Sequence, residues 1–313
     1  MFGGKAGARP TSRALAFFVA TVQVGYNLPL SAMSFDDITL GVLTSPSDMI
    51  DLDVRLRVGD LYRPGSWAFR GQPQKFGTLV PSFQRTFTGK KSPGTAKIIE
   101  ADLIKAFREH YAKLQATADM PMVQQIAAGL ELQCLSVMQH YGVPTRLLDW
   151  TADFWTAVYF ACAGDPGTEA ELWFYDREMF STAYSDVNRL PIWLSPALAE
   201  SDPAVPDFLD AAPKVLIGEL DPKLTPRMRT QSAHHTVSTD VFADHAPLLK
   251  DLSQSVKAND AFKRVVISSG CKEKALRFLE EHKKITAGTV FPDVEGLGRF
   301  LRWHLDTLKT MLL

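Results

Sequence analysis

Gln139-His140-Tyr141-Gly142-Val143-Pro144-Thr145-Arg146-Leu147-Leu148-Asp149-Trp150-Thr151 interrupts the two most apolar helical patterns in the chain. Before it, Val123, Ile126, Ala127, Leu130, Cys134, Val137, Met138 and Tyr141 recur at the spacing of one buried helix face. Gly142 and Pro144 supply the stop: glycine accepts left-handed backbone, and proline cannot continue the hydrogen-bond ladder. After it, Thr151 is a candidate N-cap for a helix through Phe154, Ala157, Val158 and Ala161 that ends at Gly164. That helix is apolar nearly all round, as a central buried helix would be. The stretch therefore reads as a turn between two buried helices. It carries His140, Thr145, Arg146, Asp149 and Thr151, more polar chemistry than a connector needs. Each also has a structural reading: Arg146 and Asp149 as an ion pair across the turn, Asp149 or Thr151 as a cap. His140 falls ~100° from the centre of its helix's apolar stripe, at the border between core and water.

Outward from this turn, Ile99, Leu103, Ala106, Phe107, Tyr111 and Leu114 predict an earlier helix, introduced by the turn-rich Thr88–Thr95. Strands are predicted at Val54–Val58, where apolar and basic residues alternate, at Trp67–Gly71, Glu171–Tyr175, Lys214–Leu220 and Lys263–Ser268. The proline-rich stretch Ser195–Pro226 forbids regular structure apart from the Lys214–Leu220 strand. Helices return at Lys272–His282 and Val294–Leu312. With no strand–helix alternation, the order gives an α+β fold, helices packed on a small, mostly antiparallel sheet, and argues against a doubly wound one. No Gly-rich phosphate loop of the Rossmann or Walker kind is present.

Composition narrows the function classes. The 313 residues carry Lys+Arg 34 against Asp+Glu 35, a net charge of -1, so no global positive field steers the protein onto nucleic acid. Phosphate recognition must come from a local cluster. Cys134, Cys162 and Cys271 are odd in number, widely spaced and outside any zinc spacing, which fits a reducing, cytoplasmic setting with no metal. At the N-terminus, Arg9 and Arg13 precede an apolar run from Ala14 to Val24, too short for the ~20 residues of a membrane span. Ala32 is a poor cleavage position because Leu30, two before it, is not small. An N-terminal helix or strand, a signal peptide and a start codon assigned too early all remain open.

Two further segments hold candidate chemistry. Phe69-Arg70-Gly71-Gln72 places an arginine at a strand end beside glycine, with Arg85 shortly after. A guanidinium there suits bidentate binding of phosphate or carboxylate, at about 1.5–3 kcal/mol per charged hydrogen bond. The bland alternative is an arginine paired with a nearby acid. Arg227-Met228-Arg229-Thr230-Gln231-Ser232-Ala233-His234-His235-Thr236 concentrates two arginines and two histidines. Adjacent histidines on a strand point opposite ways, so His234 and His235 do not share a metal.

The FRGQ run, the QHYGVPTRLLDWT turn with its Ala-Val-Tyr-Phe-Ala helix, the RTQSA segment and the Phe291-Pro292-Asp293-Val294-Glu295-Gly296 ending resemble the FRG domain family, named for its Phe-Arg-Gly motif. The likeness runs from roughly Asp48 to the C-terminus, which implies residues 1–47 as an extension and 48–313 as a single domain. The layout is also similar to the ADP-ribosyltransferases, which place an aromatic-Arg-Gly on a first strand, a hydroxyl residue on a second and Gln or Glu on a third. That resemblance implies an ADP-ribosyltransferase-like fold with NAD as substrate. Arg70, with Gly71 and Gln72, would hold NAD, and Arg85 and Arg146 would complete the cation set for its diphosphate. Thr145 or Thr151 would be the hydroxyl element, and Tyr141 or Trp150 would stack on nicotinamide. Gln231 would stand at the third position. There the usual residue is Glu, and an amide is no base, so either another carboxylate such as Asp149 serves or the enzyme only strains and ionises NAD.

The function implied is an NAD-consuming transferase or hydrolase, an effector of toxin or antiphage type. Its acceptor would be nucleic acid or protein; a neutralising protein partner is conceivable and a membrane partner is not implied. The alternative is a non-enzymatic module that binds a nucleotide, a phosphate or a partner's carboxylate. A metal-independent nuclease using His140 and Asp149 fits the residue types but has no recognisable motif.

Overall fold

The computed structural model describes residues 38–58, 67–87, 92–115, 131–178, 180, 193–194, 217–220, 226–255, 261–292, 296–301 and 305. The N-terminal apolar run, the start of the Val123 stripe and most of the proline-rich stretch lie outside them. The described residues fall in one compact unit, within Phe35–Leu313.

Among the described residues, eight strands form one sheet in the order β1-β8-β4-β2-β3-β7-β6-β5. They are β1 (Thr39–Leu43), β2 (Trp67–Gln72), β3 (Leu148–Thr151), β4 (Ala170–Asp176), β5 (Trp193–Leu194), β6 (Ile217–Leu220), β7 (Ala233–Ser238) and β8 (Phe262–Ile267). The pairs β1–β8 and β5–β6 are parallel and the other pairs antiparallel. The mostly antiparallel α+β class read from the sequence is the fold. β1, which precedes residue 48, pairs with β8 and is a member of the sheet.

Helices cover both faces. On one, α1 (Pro46–Val58), α5 (Phe154–Cys162) and α8 (Ser269–Phe278) enclose Phe69, Leu172, Phe174, Val265 and Ile267. On the other, Ala246 and Leu249 of α7 (His245–Ser255) meet Ala68, Trp150, Trp173, Tyr175 and Phe262. The split is the two-residue alternation of a strand: Phe69 faces one layer, Ala68 the other. A separate cluster joins α3 (Pro93–Gln115) and α4 (Glu131–His140) to Leu147 and Val237.

Three local readings change. Val54–Val58 is the end of α1, not a strand. Ser45-Pro46-Ser47-Asp48 starts that helix: Ser45 Oγ accepts from the Asp48 N–H (3.3 Å) and Asp48 Oδ2 from the Ser45 N–H (3.0 Å), with proline at the first helical position. Met49, Leu52, Asp53 and Leu56 then recur as its buried side, and the basic alternation is incidental. In α3 the buried face is Ala96, Glu100, Ile104 and Tyr111, while Ile99 and Ala106 are exposed. Finally, the turn after Gly142 leads into strand β3, not directly into a helix. Thr151 closes that strand, and the cap of α5 is Asp153, whose side chain accepts from the Thr156 N–H.

The stop at Gly142 is as read. Its φ is 80°, the Val143 N–H donates to the Met138 carbonyl (2.9 Å) and the Gly142 N–H to the Gln139 carbonyl (3.0 Å), a Schellman closure. All three cysteines are buried and free. No helix among the described residues is long and apolar enough to cross a membrane.

Candidate functional site

The sheet opens between β2 and β3. β2 pairs with β4 along its whole length but with β3 only at Phe69 opposite Thr151. Beyond that pair the strands part, and a cleft of about 260 Å³ lies there, lined by Phe69, Arg70, Gly71, Gln139, His140, Asp149, Thr151, Phe160, Arg227, Gln231 and His235, among others. The ladder hydrogen bond that β2 does not make is replaced by a side chain: Arg70 Nη1 donates to the Asp149 carbonyl at 2.7 Å.

Arg70 is held but not satisfied. Its Nε is buried and has no hydrogen-bond partner. Burial, offset by the charge of Asp149 and reinforced by that of Arg85, pushes the guanidinium pKa down to about 10, which leaves it cationic at neutral pH. An unmet donor of this kind costs about 1–3 kcal/mol. Gly71 is needed for a reason different from exposed backbone. A Cβ there would lie 2.0 Å from the Ala157 carbonyl oxygen, so the glycine lets β2 pack against α5.

Asp149 is the carboxylate of the cleft. Its side chain is 55% exposed, yet it is anchored from two sides. Gln139 Nε2 donates to Oδ2 (3.1 Å), and His235 Nδ1, directly across the β3–β7 ladder, lies 3.1 Å from Oδ1, close to it but outside hydrogen-bond geometry. Partial desolvation by the surrounding protein raises its pKa, but the His235 contact, the Arg70 charge and the Gln139 amide outweigh it, and the group titrates below the ordinary carboxylate range. Behind these anchors stand two more residues. Thr145 Oγ1 donates to Gln139 Oε1 (2.6 Å), and Ser136 Oγ lies 3.0 Å from His235 Nε2. The Ser136–His235–Asp149 order has the composition of a hydrolytic triad but the wrong end faces out. Ser136 is wholly buried, so the array orients Asp149 rather than activating a serine.

Several expected site residues lie elsewhere. Arg146 is 2% exposed and forms a two-pronged ion pair with Glu100, Nε to Oε1 at 2.8 Å and Nη2 to Oε2, while Nη1 reaches the carbonyls of Ser238 and Thr239. It is structural and cannot grip a diphosphate. Thr145 is buried behind Gln139 and is not the cleft hydroxyl. Thr151 does line the cleft, but its hydroxyl donates to the Gln231 carbonyl at 2.6 Å. Gln72 is buried and donates to the Thr78 carbonyl (2.9 Å). Tyr141 is 56% exposed and beside Tyr111, outside the cleft. Trp150 borders the cleft, but its indole is buried with Nε1 donating to Thr236 Oγ1 (2.9 Å) and its ring edge-on to Tyr175. Neither is placed to stack on a ligand. Gln231 reaches the cleft with its amide donating to the Val290 carbonyl (3.0 Å). Arg85 is exposed on α2 (Ser82–Arg85) and acts on Arg70 through its charge. His140, at the end of α4, lines the cleft.

Gln139, Phe160, Arg227 and His235 also line the cleft; Arg227 and His235 fall in a segment that the sequence marks as candidate chemistry, but none of the four carries an expected site role. The pattern rule for adjacent histidines did hold: His235 borders the cleft and His234 does not. What the sequence could not show is that β7 pairs with β3 in the register that sets His235 against Asp149. Among the described residues no group of three or more metal-ligating side chains gathers.

Residues 65–169 match the family model of the FRG domain. The match encloses Arg70, Asp149 and α5, and stops before β7, which brings His235. No curated protein and no solved structure matches the chain.

Proposed function

We propose that this FRG-domain protein is an NAD-consuming enzyme in which Arg70 grips the diphosphate and Asp149 faces the ribosyl carbon. The observation that supports it is a half-satisfied guanidinium and an anchored carboxylate in one cleft. Diphosphate oxygens in the cleft would meet the Arg70 guanidinium in charge-assisted hydrogen bonds, while its Nη1 stays on the Asp149 carbonyl. When the bond between the ribose carbon and the nicotinamide nitrogen breaks, its electron pair leaves with the nicotinamide, which becomes neutral. The ribose is left as an oxocarbenium-like cation, as in glycoside cleavage.

A carboxylate already ionised and already oriented stabilises that cation without reorganisation. Gln139 and His235 hold Asp149 in that state. A hydroxyl, either water or a nucleic-acid or protein acceptor, then forms the new C–O bond and releases its proton, with His140 at the cleft edge to receive it. Gln231, whose amide is engaged with Val290, takes no proton.

The test is mass spectrometry of NAD incubated with purified protein, alone and with RNA, DNA or cell lysate. Free nicotinamide with ADP-ribose, or an ADP-ribosyl adduct on the acceptor, is expected. Asp149→Asn should lower turnover by about 10²-fold or more. NAD bound but intact would turn the reading into that of a binding module, and no effect of Asp149→Asn would remove the carboxylate from it.

A further inference from the structure

A second cavity, of about 280 Å³, adjoins the first and shares Phe160 as a wall. Its other apolar walls include Tyr159, Leu276, Ile285, Phe291 and Phe300, and its polar side is Glu280, Thr286 and Arg299. The rings stand at angles to one another, Tyr159–Phe160 at 5.8 Å and Phe160–Phe291 at 6.0 Å between centroids. Phe291 lines the second cavity. Arg227, from the first, lies 4.4 Å from its ring and Arg299, from the second, 4.6 Å. Each cavity alone falls below the ~300–1,000 Å³ of ordinary small-molecule sites, while the two together fall within that range.

Glu280 reaches this place through an irregular element. The π-helix Leu279–Lys283 follows α8 and ends at Lys284 in left-handed backbone, φ 59°. Such π turns recur at functional sites, because the wider turn redirects side chains that a regular helix would carry elsewhere. Here it sets a carboxylate at the rim of an aromatic-walled slot.

We infer that the second cavity holds the heteroaromatic base of the nucleotide whose phosphates meet Arg70, and that Glu280 selects a base with an exocyclic amine, as in adenine. The inference rests on the nucleotide reading of the first cleft and assigns the other half of the ligand. A flat ring between Tyr159, Phe160 and Phe291 gains edge and offset stacking, which favours a base over a flexible chain. An amine N–H donates to the Glu280 carboxylate, whereas a carbonyl at the same position sets two acceptors against each other. The sugar and phosphates then cross Phe160 into the cleft with Arg70.

Calorimetry with adenosine, inosine and nicotinamide mononucleotide tests it, since adenosine carries no phosphate and reads the base cavity alone. Ala163 is an exposed residue on the cavity wall, so Ala163→Trp fills the slot from its mouth. Wild type and Arg70→Ala should bind adenosine alike, Ala163→Trp at least tenfold more weakly, and nicotinamide mononucleotide should bind wild type and Ala163→Trp within twofold. Adenosine should exceed inosine about tenfold in wild type, and the gap should close in Glu280→Gln. Adenosine binding that is absent from the wild type, unaffected by Ala163→Trp or indifferent to Glu280→Gln overturns the inference. Failure of NAD turnover with the adenosine pattern intact overturns the catalytic reading alone.

Discussion

Arg70 and Arg146 are both arginines held by the domain's motif segments, and the structure treats them oppositely. Arg146 has both oxygens of Glu100 and two backbone carbonyls and is sealed from water. Arg70 has one carbonyl, a buried Nε with nothing to donate to, and a cavity beside it. Residue type and charge do not separate the two; the degree of satisfaction does. A guanidinium whose donors are all met is part of the scaffold, and one left partly unmet at a cleft is the group that the proposed function assigns to an anion.

The largest effect expected from this contrast is at the satisfied arginine. Glu100→Ala leaves the Arg146 charge buried without its counter-charge, which destabilises a protein by about 3–5 kcal/mol. Urea unfolding should show it as a large fall in midpoint, with NAD handling by the folded fraction unchanged. A loss below about 1 kcal/mol would return Arg146 to the list of ligand-binding groups.

An intermediate effect lies behind the unsatisfied arginine. His245 is fully buried near Arg70; burial first, and then the Arg70 charge, push its imidazole pKa down to about 3. The native protein therefore does not bind this proton until about pH 3, while the unfolded chain binds it below about pH 6.5. Stability should fall as pH drops through that window, by up to ~1.4 kcal/mol per pH unit. Asp149 adds to the fall only further down: its depressed pKa gives a contribution present above the ordinary carboxylate value and lost as pH falls through the folded one. Urea midpoints across pH 4–7 check this, and His245→Asn should flatten the slope. An unchanged slope in that variant would place the acid sensitivity elsewhere.

Much of this was legible in the chain. Periodicity found β2, β4 and β8, the end of α4 and the course of α5, because burial repeats a local pattern at each of them. It missed α1, whose Ser45–Asp48 capping box outranks a five-residue alternation, and it missed β3, a four-residue strand within a turn-like sequence. At the site, Arg70 and Asp149 were visible as polar residues in apolar surroundings. That Arg146 pairs with Glu100, 46 positions away, and that His235 faces Asp149 are facts of register and packing. No local spacing encodes them. Gly71 was legible as a motif residue, but its reason, the close approach of α5, belongs to tertiary structure.

The smallest change in stability should accompany the largest change in function. Arg70→Ala removes a group that the fold leaves partly unsatisfied, so its urea midpoint should stay within about 1 kcal/mol of wild type. Calorimetric titration of the same variant with NAD should lose the binding expected of the wild type. A variant that unfolds readily yet binds NAD as the wild type does would make Arg70 a structural arginine like Arg146 and leave the cleft without its anion-binding group.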